Sequence, residues 1–341
     1  MEDRTDSLSR LTTLIMVSTG VAMEKGAISQ DSGTIILACN SLGIALVYVY
    51  TLGPLRVVTS LVAYAKVQRN AAAWADRDAD SIAKLTDVEI VGMSTAHLER
   101  ASSSQLCLVY ARAMDIEMDL SQLNIVVIPM GRDGASQIQL SILTRYPSPV
   151  LDLANIGLDE AQALAVSRWL TTIAAASITS CCILNNPLGE VVNEIIKVFQ
   201  DSPRLRTLCG FEEGIEEVDW SNSEKGVADV TLLAAELSAD RAIGSINSLT
   251  CDSTGVPARY SYGDLVEGTG PRTYTLAVGE AVIDLSQKNF GPADVNLLTT
   301  WIQRPEVSNS LTKVVITGAE ISETDVATLR AAAPNGCEVV W

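Results

Sequence analysis

A twenty-residue pattern occurs twice in this chain. VDWSNSEKGVADVTLLAAEL at 218–237 returns 65 positions later as IDLSQKNFGPADVNLLTTWI at 283–302, with eight positions identical. The identities include Asp219/Asp284, Gly226/Gly291, Asp229/Asp294 and Leu233/Leu298. Each copy reads as a short alternating strand, a turn, an Ala-Asp start and an apolar helix face. Asp229 and Asp294 fall near a helix N-terminus, where a carboxylate meets unpaired N–H groups and the positive end of the dipole. A strand–helix unit this small cannot bury its apolar face alone, so repetition implies copies stacked against one another.

Weaker copies extend the series. LDLANIGLDEAQALAVSRWL at 151–170 keeps the frame, with Leu153 on Leu285 and Trp169 on Trp301. VVITGAEISETDVATLR at 314–330 places Asp325-Val326 on Asp294-Val295. A common strand register puts apolar residues at 0, 3, 5 and 10 and a small or amide residue at 8. Ile178, Cys181, Ile183, Asn186 and Leu188 satisfy it. Leu311, Val314, Ile316, Ala319 and Ile321 do so with Ala, and Ile246, Leu249, Cys251, Thr254 and Val256 with Thr. Fainter copies read at Leu85, Val88, Ile90, Met93 and at Leu123, Val126, Ile128, Gly131.

This register resembles the leucine-rich repeat L-x-x-L-x-L-x-x-N-x-L in its longer strand–helix form, typified by ribonuclease inhibitor. LDLANIGLDEAQAL, CCILNNPLG, VDWSNSEKGVADVTLL and IDLSQKNFGPADVNLL carry the resemblance, over residues 150–341 and more faintly over 84–149. The tail from 311 is also similar to repeat proteins of unicellular algae and related protists. The resemblance implies an α/β solenoid, with a parallel β-sheet on one face and helices on the other. The family's asparagine stands only at Asn186. Ile156, Ser223, Thr254, Lys288 and Ala319 replace it, which implies an interrupted ladder. Residues 256–280 (VPARYSYGDLVEGTGPRTYTLAVGE) break the spacing and read as an inserted loop.

Charge divides the chain differently. Residues 1–75 hold six Lys and Arg against five Asp and Glu, whereas 76–341 hold 18 against 36. Nearly all of the net charge of −17 therefore lies in the repeat region, and it opposes nucleic-acid binding, which needs clustered cations. In the near-neutral quarter, Gly33 to Gly53 runs 21 residues without a formal charge, the length of a bilayer span. Ile35, Ile36, Leu37, Leu42, Ile44, Leu46 and Val47 supply its apolar surface, and Tyr48 and Tyr50 suit the lipid boundary. Asn40 and Ser41 suit contact with another helix. Leu11 to Met23 is a shorter apolar arm. Together they predict an N-terminal two-helix hydrophobic hairpin, followed by an interfacial exit helix over 54–75. The leader MEDRTDSLSR has too many acids for a cleavable signal. The domains expected are therefore a membrane-anchoring 1–75 and a repeat domain 76–341.

In such a solenoid the residue between the paired apolar strand positions faces the open side of the sheet. These residues are Asp152, Cys182, Asp219, Thr250, Asp284 and Val315, a lane suited to a basic protein partner. Chemistry is harder to find. The single His97 removes most triad and histidine-metal arrangements. Seven cysteines form no C-x-x-C pair, and Cys39, Cys181 and Cys251 fall on buried positions, so reduced thiols in a reducing compartment are expected. GDLVEGTGPR at 263–272 lacks the Lys-Ser/Thr of a P-loop, and the Glu212-Glu213 and Glu216-Glu217 cluster reads as solvated charge.

The expectation is a non-enzymatic, membrane-anchored interaction scaffold, an accessory subunit of a larger complex in an organellar or other internal membrane. It would take no cofactor and no metal, and its partners would be other protein subunits, membrane proteins among them, and the lipid bilayer. Two alternatives stand beside it. One is a regulator of an enzyme such as a small GTPase, with Arg132 of MGRDG as a finger. The other is the C-terminal part of a channel or transporter.

Overall fold

The computed structural model describes residues 101–118, 127–131, 138–142, 144–255, 271–317 and 321–341. The hairpin and exit helix expected over 1–75, with the expected membrane residues from Ile35 to Tyr50, fall outside the described residues. So do Cys39, His97, Arg132, the faint copy at 85–93 and most of the insertion.

The described chain is a mixed α/β protein built from small, mostly parallel sheets and seven α-helices. Helix α1 (Ser103–Asp115) opens on a capping box in which Ser102 and Gln105 exchange backbone and side-chain bonds. Strands β1 (Val127–Met130) and β2 (Ile138–Ser141) follow as an antiparallel pair. The faint copy at 123–131 therefore does contain a strand, with Ile128 buried, but its partner is a hairpin neighbour rather than the next repeat.

From here strand and helix alternate. Strand β3 (Val150–Asp152) leads to α2 (Glu160–Leu170), and β4 (Ser180–Cys182) to α3 (Val192–Asp201). Strand β5 (Glu217–Trp220) leads to α4 (Val227–Ala239). Strands β6 (Ser248–Asp252) and β7 (Thr273–Ala277) come next, then β8 (Val282–Asp284) with α5 (Pro292–Ile302) and the single turn α6 (Pro305–Ser308). Strand β9 (Lys313–Val315), α7 (Glu323–Ala332) and β10 (Glu338–Val340) complete the chain. Helices α1 to α5 each pack on the next in order, and α5 packs on α7.

Parallel pairing joins β3 to β4, β5 to β6, and β8 to β9 to β10. The core follows from period-two alternation. Leu151 and Cys181 are in register and buried, as are Val218 with Leu249 and Ile283 with Val314. Trp169 and Trp301, paired in the sequence, are both fully buried on their helices.

The parallel strands are divided among three sheets rather than forming one, for two separate reasons. The first break lies before β5. Thr207 and Cys209 bridge to β4, continuing its sheet by one short segment that does not follow the common strand register. The loop after it turns at Gly210 and Gly214, both at positive φ, so no regular strand continues toward β5. The second break lies within the insertion. Its last part is no loop: β7 runs antiparallel along β6 and takes the edge that a parallel strand would use.

Candidate functional site

The six residues expected in the lane stand as three cross-strand pairs, one on each of the three sheets that hold the parallel strands. Asp152 stands in register beside Cys182, Asp219 beside Thr250, and Asp284 beside Val315. The three aspartates are exposed and the other three residues half-buried, all on the side of the strands away from the buried positions. Strand β7 adds Thr275, whose hydroxyl lies 2.9 Å from that of Thr250.

Each aspartate also ends its strand. Asp152, Asp219 and Asp284 accept the backbone N–H two residues on, from Ala154, Ser221 and Ser286, at 3.0, 2.8 and 3.0 Å. These are Asx turns. One carboxylate oxygen is thereby engaged and the other faces solvent. Hydrogen bonds from Ser221 and Ser286 hold Asp219 and Asp284 below the usual carboxylate range. The chain then passes through the left-handed region three residues after Asp152, Cys182, Asp219 and Asp284, at Asn155, Asn185, Asn222 and Gln287. The positions two further on, Gly157, Glu224 and Asn289, are left-handed too. This turn carries β3, β4, β5 and β8 over into their helices. It is legible in hindsight as Asp-x-[Ala/Ser] with Asn or Gln following.

Behind the turns runs a row of buried polar side chains joining unit to unit. The Asn186 amide donates to Leu153, Ile183 and Leu184 carbonyls and its oxygen accepts from Leu158 N–H, a rung between two neighbouring loops. Where the asparagine is missing, an aspartate on the third residue of the helix takes over. Asp229 accepts from Gly226 N–H at 2.9 Å and from Asn185 N–H at 2.7 Å, in the preceding unit. Asp294 accepts from Gly291 N–H, from the N–H and hydroxyl of Thr254, and from the Tyr274 hydroxyl. The ladder is thus maintained by a different residue type, which the interrupted asparagine pattern concealed. Burial pushes the Asp294 carboxyl upward even so.

The opposite ends of the helices carry a second row. Arg204 donates to the Leu170, Ala175 and Ile178 carbonyls of the unit before it. Arg241 does the same to Phe199, Gln200, Ser202 and Leu205, and Arg304 to Gly244 and Ile246. All three follow a helix by two or three residues and supply donors to carbonyls left open at a helix end or in the loop beyond it. At the first sheet break, Glu236 of α4 accepts from the Thr207 hydroxyl and from Leu208 and Cys209 N–H. Those amides would otherwise need a neighbouring strand. Burial raises the Glu236 carboxyl above its ordinary range.

The thiols are core atoms. Cys107, Cys181, Cys209 and Cys251 are buried, Cys182 and Cys337 half-buried, and all six are free. Burial raises the pKa of each of these thiols, which disfavours the reactive thiolate. The Glu212, Glu213, Glu216 and Glu217 side chains are exposed, and Glu213 pairs with Arg206 at 2.8 Å. Among the described residues no group of His, Cys, Asp and Glu is arranged to hold a metal ion, and no helix is long and apolar enough to cross a membrane. No family model, curated protein or solved structure matches the chain.

Proposed function

We propose that the chain is a membrane-anchored scaffold whose degenerate leucine-rich-repeat-like solenoid docks a basic protein surface on its strand face, as an accessory subunit of a larger membrane complex. The observation that carries this reading is the lane itself. Asp152, Asp219 and Asp284 end strands β3, β5 and β8, one on each of three sheets, exposed and locked by their own turns. Side chains spread in this way suit recognition of an extended partner by complementary charge rather than chemistry on a small molecule. The Asn186, Asp229 and Asp294 rungs and the Arg204, Arg241 and Arg304 staples support the solenoid reading, since each ties one strand–helix unit to the one before it. The anchor rests on the uncharged run from Gly33 to Gly53. Carbonate extraction of membranes tests it. The full chain is expected to stay with the membrane pellet and a chain lacking residues 1–70 to leave it. A full chain released by carbonate removes the anchor from the account.

A further inference from the structure

The start of α3 and the start of α4 stand apart. Between them lie two adjoining hollows of about 400 and 460 Å³ that share Asn186, Gly226 and Asp229, and so form one open trough. Asn186 and Asp229 make its floor, buried and already engaged in ties between units. Its apolar wall comes from Pro187 and Val227, both exposed, Val227 at 58% in the first turn of a helix that is otherwise largely core. Glu190 and Glu224 flank it, exposed and without an ion-pair partner among the described residues. The neighbouring Lys225 is committed elsewhere: its ammonium donates to Asn185 Oδ1 at 2.9 Å and lies 5.4 Å from the centre of the Trp220 ring. Asn155, Asn185 and Asn193 bring side-chain amides to the rim. Among the described residues the Asn155 side-chain amide bonds to nothing, and Asn185 Nδ2 and Asn193 Oδ1 are unused.

These three chemistries describe one occupant. An unused amide offers a donor and an acceptor together, the complement of a peptide group in an extended chain. The two unpaired carboxylates call for cations, and the exposed Pro187 and Val227 for an apolar side chain. We propose that the trough docks an extended basic segment of a partner protein, with Lys or Arg side chains on Glu190 and Glu224 and an apolar side chain against Val227. An acidic segment would set like charge against both carboxylates. A small apolar molecule would leave the carboxylates and amides without partners. The site is built from the helix starts and the loops before them, and it does not rest on the strand-face lane.

Fluorescence anisotropy of the labelled peptide Gly-Lys-Arg-Leu-Val-Arg-Lys-Gly, titrated with the full chain in detergent against a baseline of empty micelles, tests this. Saturable binding is expected, at a Kd of about 100 μM or tighter. The counterpart peptide with Glu for each Lys and Arg should not bind. Reversing both carboxylates in E190K/E224K should weaken binding about tenfold or more, and V227S about threefold. The same change of net charge in E212K/E216K, at residues that do not line the trough, should leave it within about twofold. Circular dichroism matching wild type shows that each variant is folded. Four results would each overturn the proposal: no saturable binding, equal binding of the Glu counterpart, a loss in E212K/E216K as large as in E190K/E224K, or a loss in D152N/D219N/D284N with E190K/E224K indifferent.

Discussion

The unit from β5 to α4 and the unit from β8 to α5 share the clearest sequence repeat in the chain, yet they solve the same physical problem unequally. Both place an aspartate at the third residue of the helix, facing back into the preceding unit. Asp229 collects two donors and remains 4% exposed, while Asp294 collects four and is 0% exposed. The extra donor from outside the repeat grammar is Tyr274, carried in by the antiparallel strand β7. The insertion that breaks the sheet thus reinforces the helix behind it. Ten residues into each helix the two diverge again: α4 carries Glu236, which serves orphan amides at a sheet break, and α5 carries Trp301. Repeated sequence fixes where a side chain goes, and the neighbouring unit decides what it must do there.

The largest expected effect comes from removing the better-connected carboxylate. Asp294→Ala removes the acceptor of four donors, two of them in fully buried bonds, and is expected to cost about 3–5 kcal/mol, against about 1–3 kcal/mol for Asp229→Ala. Thermal unfolding followed by circular dichroism orders them, and equal losses would break the comparison. The arginines that follow the two helices give a second test in the opposite sense. Arg241 reaches four carbonyls and lies 4.3 Å over the Phe199 ring, whereas Arg304 reaches two and lies 4.8 Å over Trp301. Arg241→Ala is expected to cost about 2 kcal/mol and Arg304→Ala about 1 kcal/mol.

How much of this was legible beforehand follows from physical range. The exposed Asp152, Asp219 and Asp284, the buried Cys181 and Cys251, the twin tryptophans and the role of Asp229 and Asp294 at helix starts all depend on period and on local capping, and a sequence displays both. The ladder's continuation did not show, because an aspartate from a helix replaces an asparagine from a loop and only the third dimension brings the two to one place. Thr207 to Cys209 escaped because its spacing, Leu205, Leu208, then Gly210, ends on glycine where an apolar residue was sought. The strand inside the insertion escaped because alternation in TYTLA looks the same whether its partner runs parallel or antiparallel.

Glu236 sharpens the contrast through pH. Its folded carboxyl is raised by burial above the ordinary value of 4.5, so the folded state binds more protons. Its contribution is therefore full below that value and is lost as pH rises through the folded one. The stability of wild type relative to Glu236→Gln should fall across that window, with a slope of at most about 1.4 kcal/mol per pH unit. Asp294, also raised, is present in both proteins and cancels. Urea titrations at a series of pH values measure the difference; a flat difference would show that this carboxyl does not titrate differently on folding.

The smallest effect extends the comparison to a third helix. Trp169 donates to the Ser141 carbonyl at 2.8 Å, whereas the Trp301 indole N–H finds no acceptor among the described residues. Both rings are fully buried, so replacement by Phe removes similar packing from each. Trp169→Phe should cost about 1 kcal/mol more than Trp301→Phe, and equal melting temperatures would remove the distinction.

The strand-face lane stands at the centre of the functional account, and native electrophoresis of solubilised membranes tests it most directly. The wild-type chain is expected to migrate in an assembly far larger than a dimer of its own 36.3 kDa. A chain carrying Asp152→Asn, Asp219→Asn and Asp284→Asn, still membrane-bound and still folded, should leave that assembly. Migration of the wild type at its own monomer or dimer size, or retention of the triple variant in the large assembly, would contradict the account.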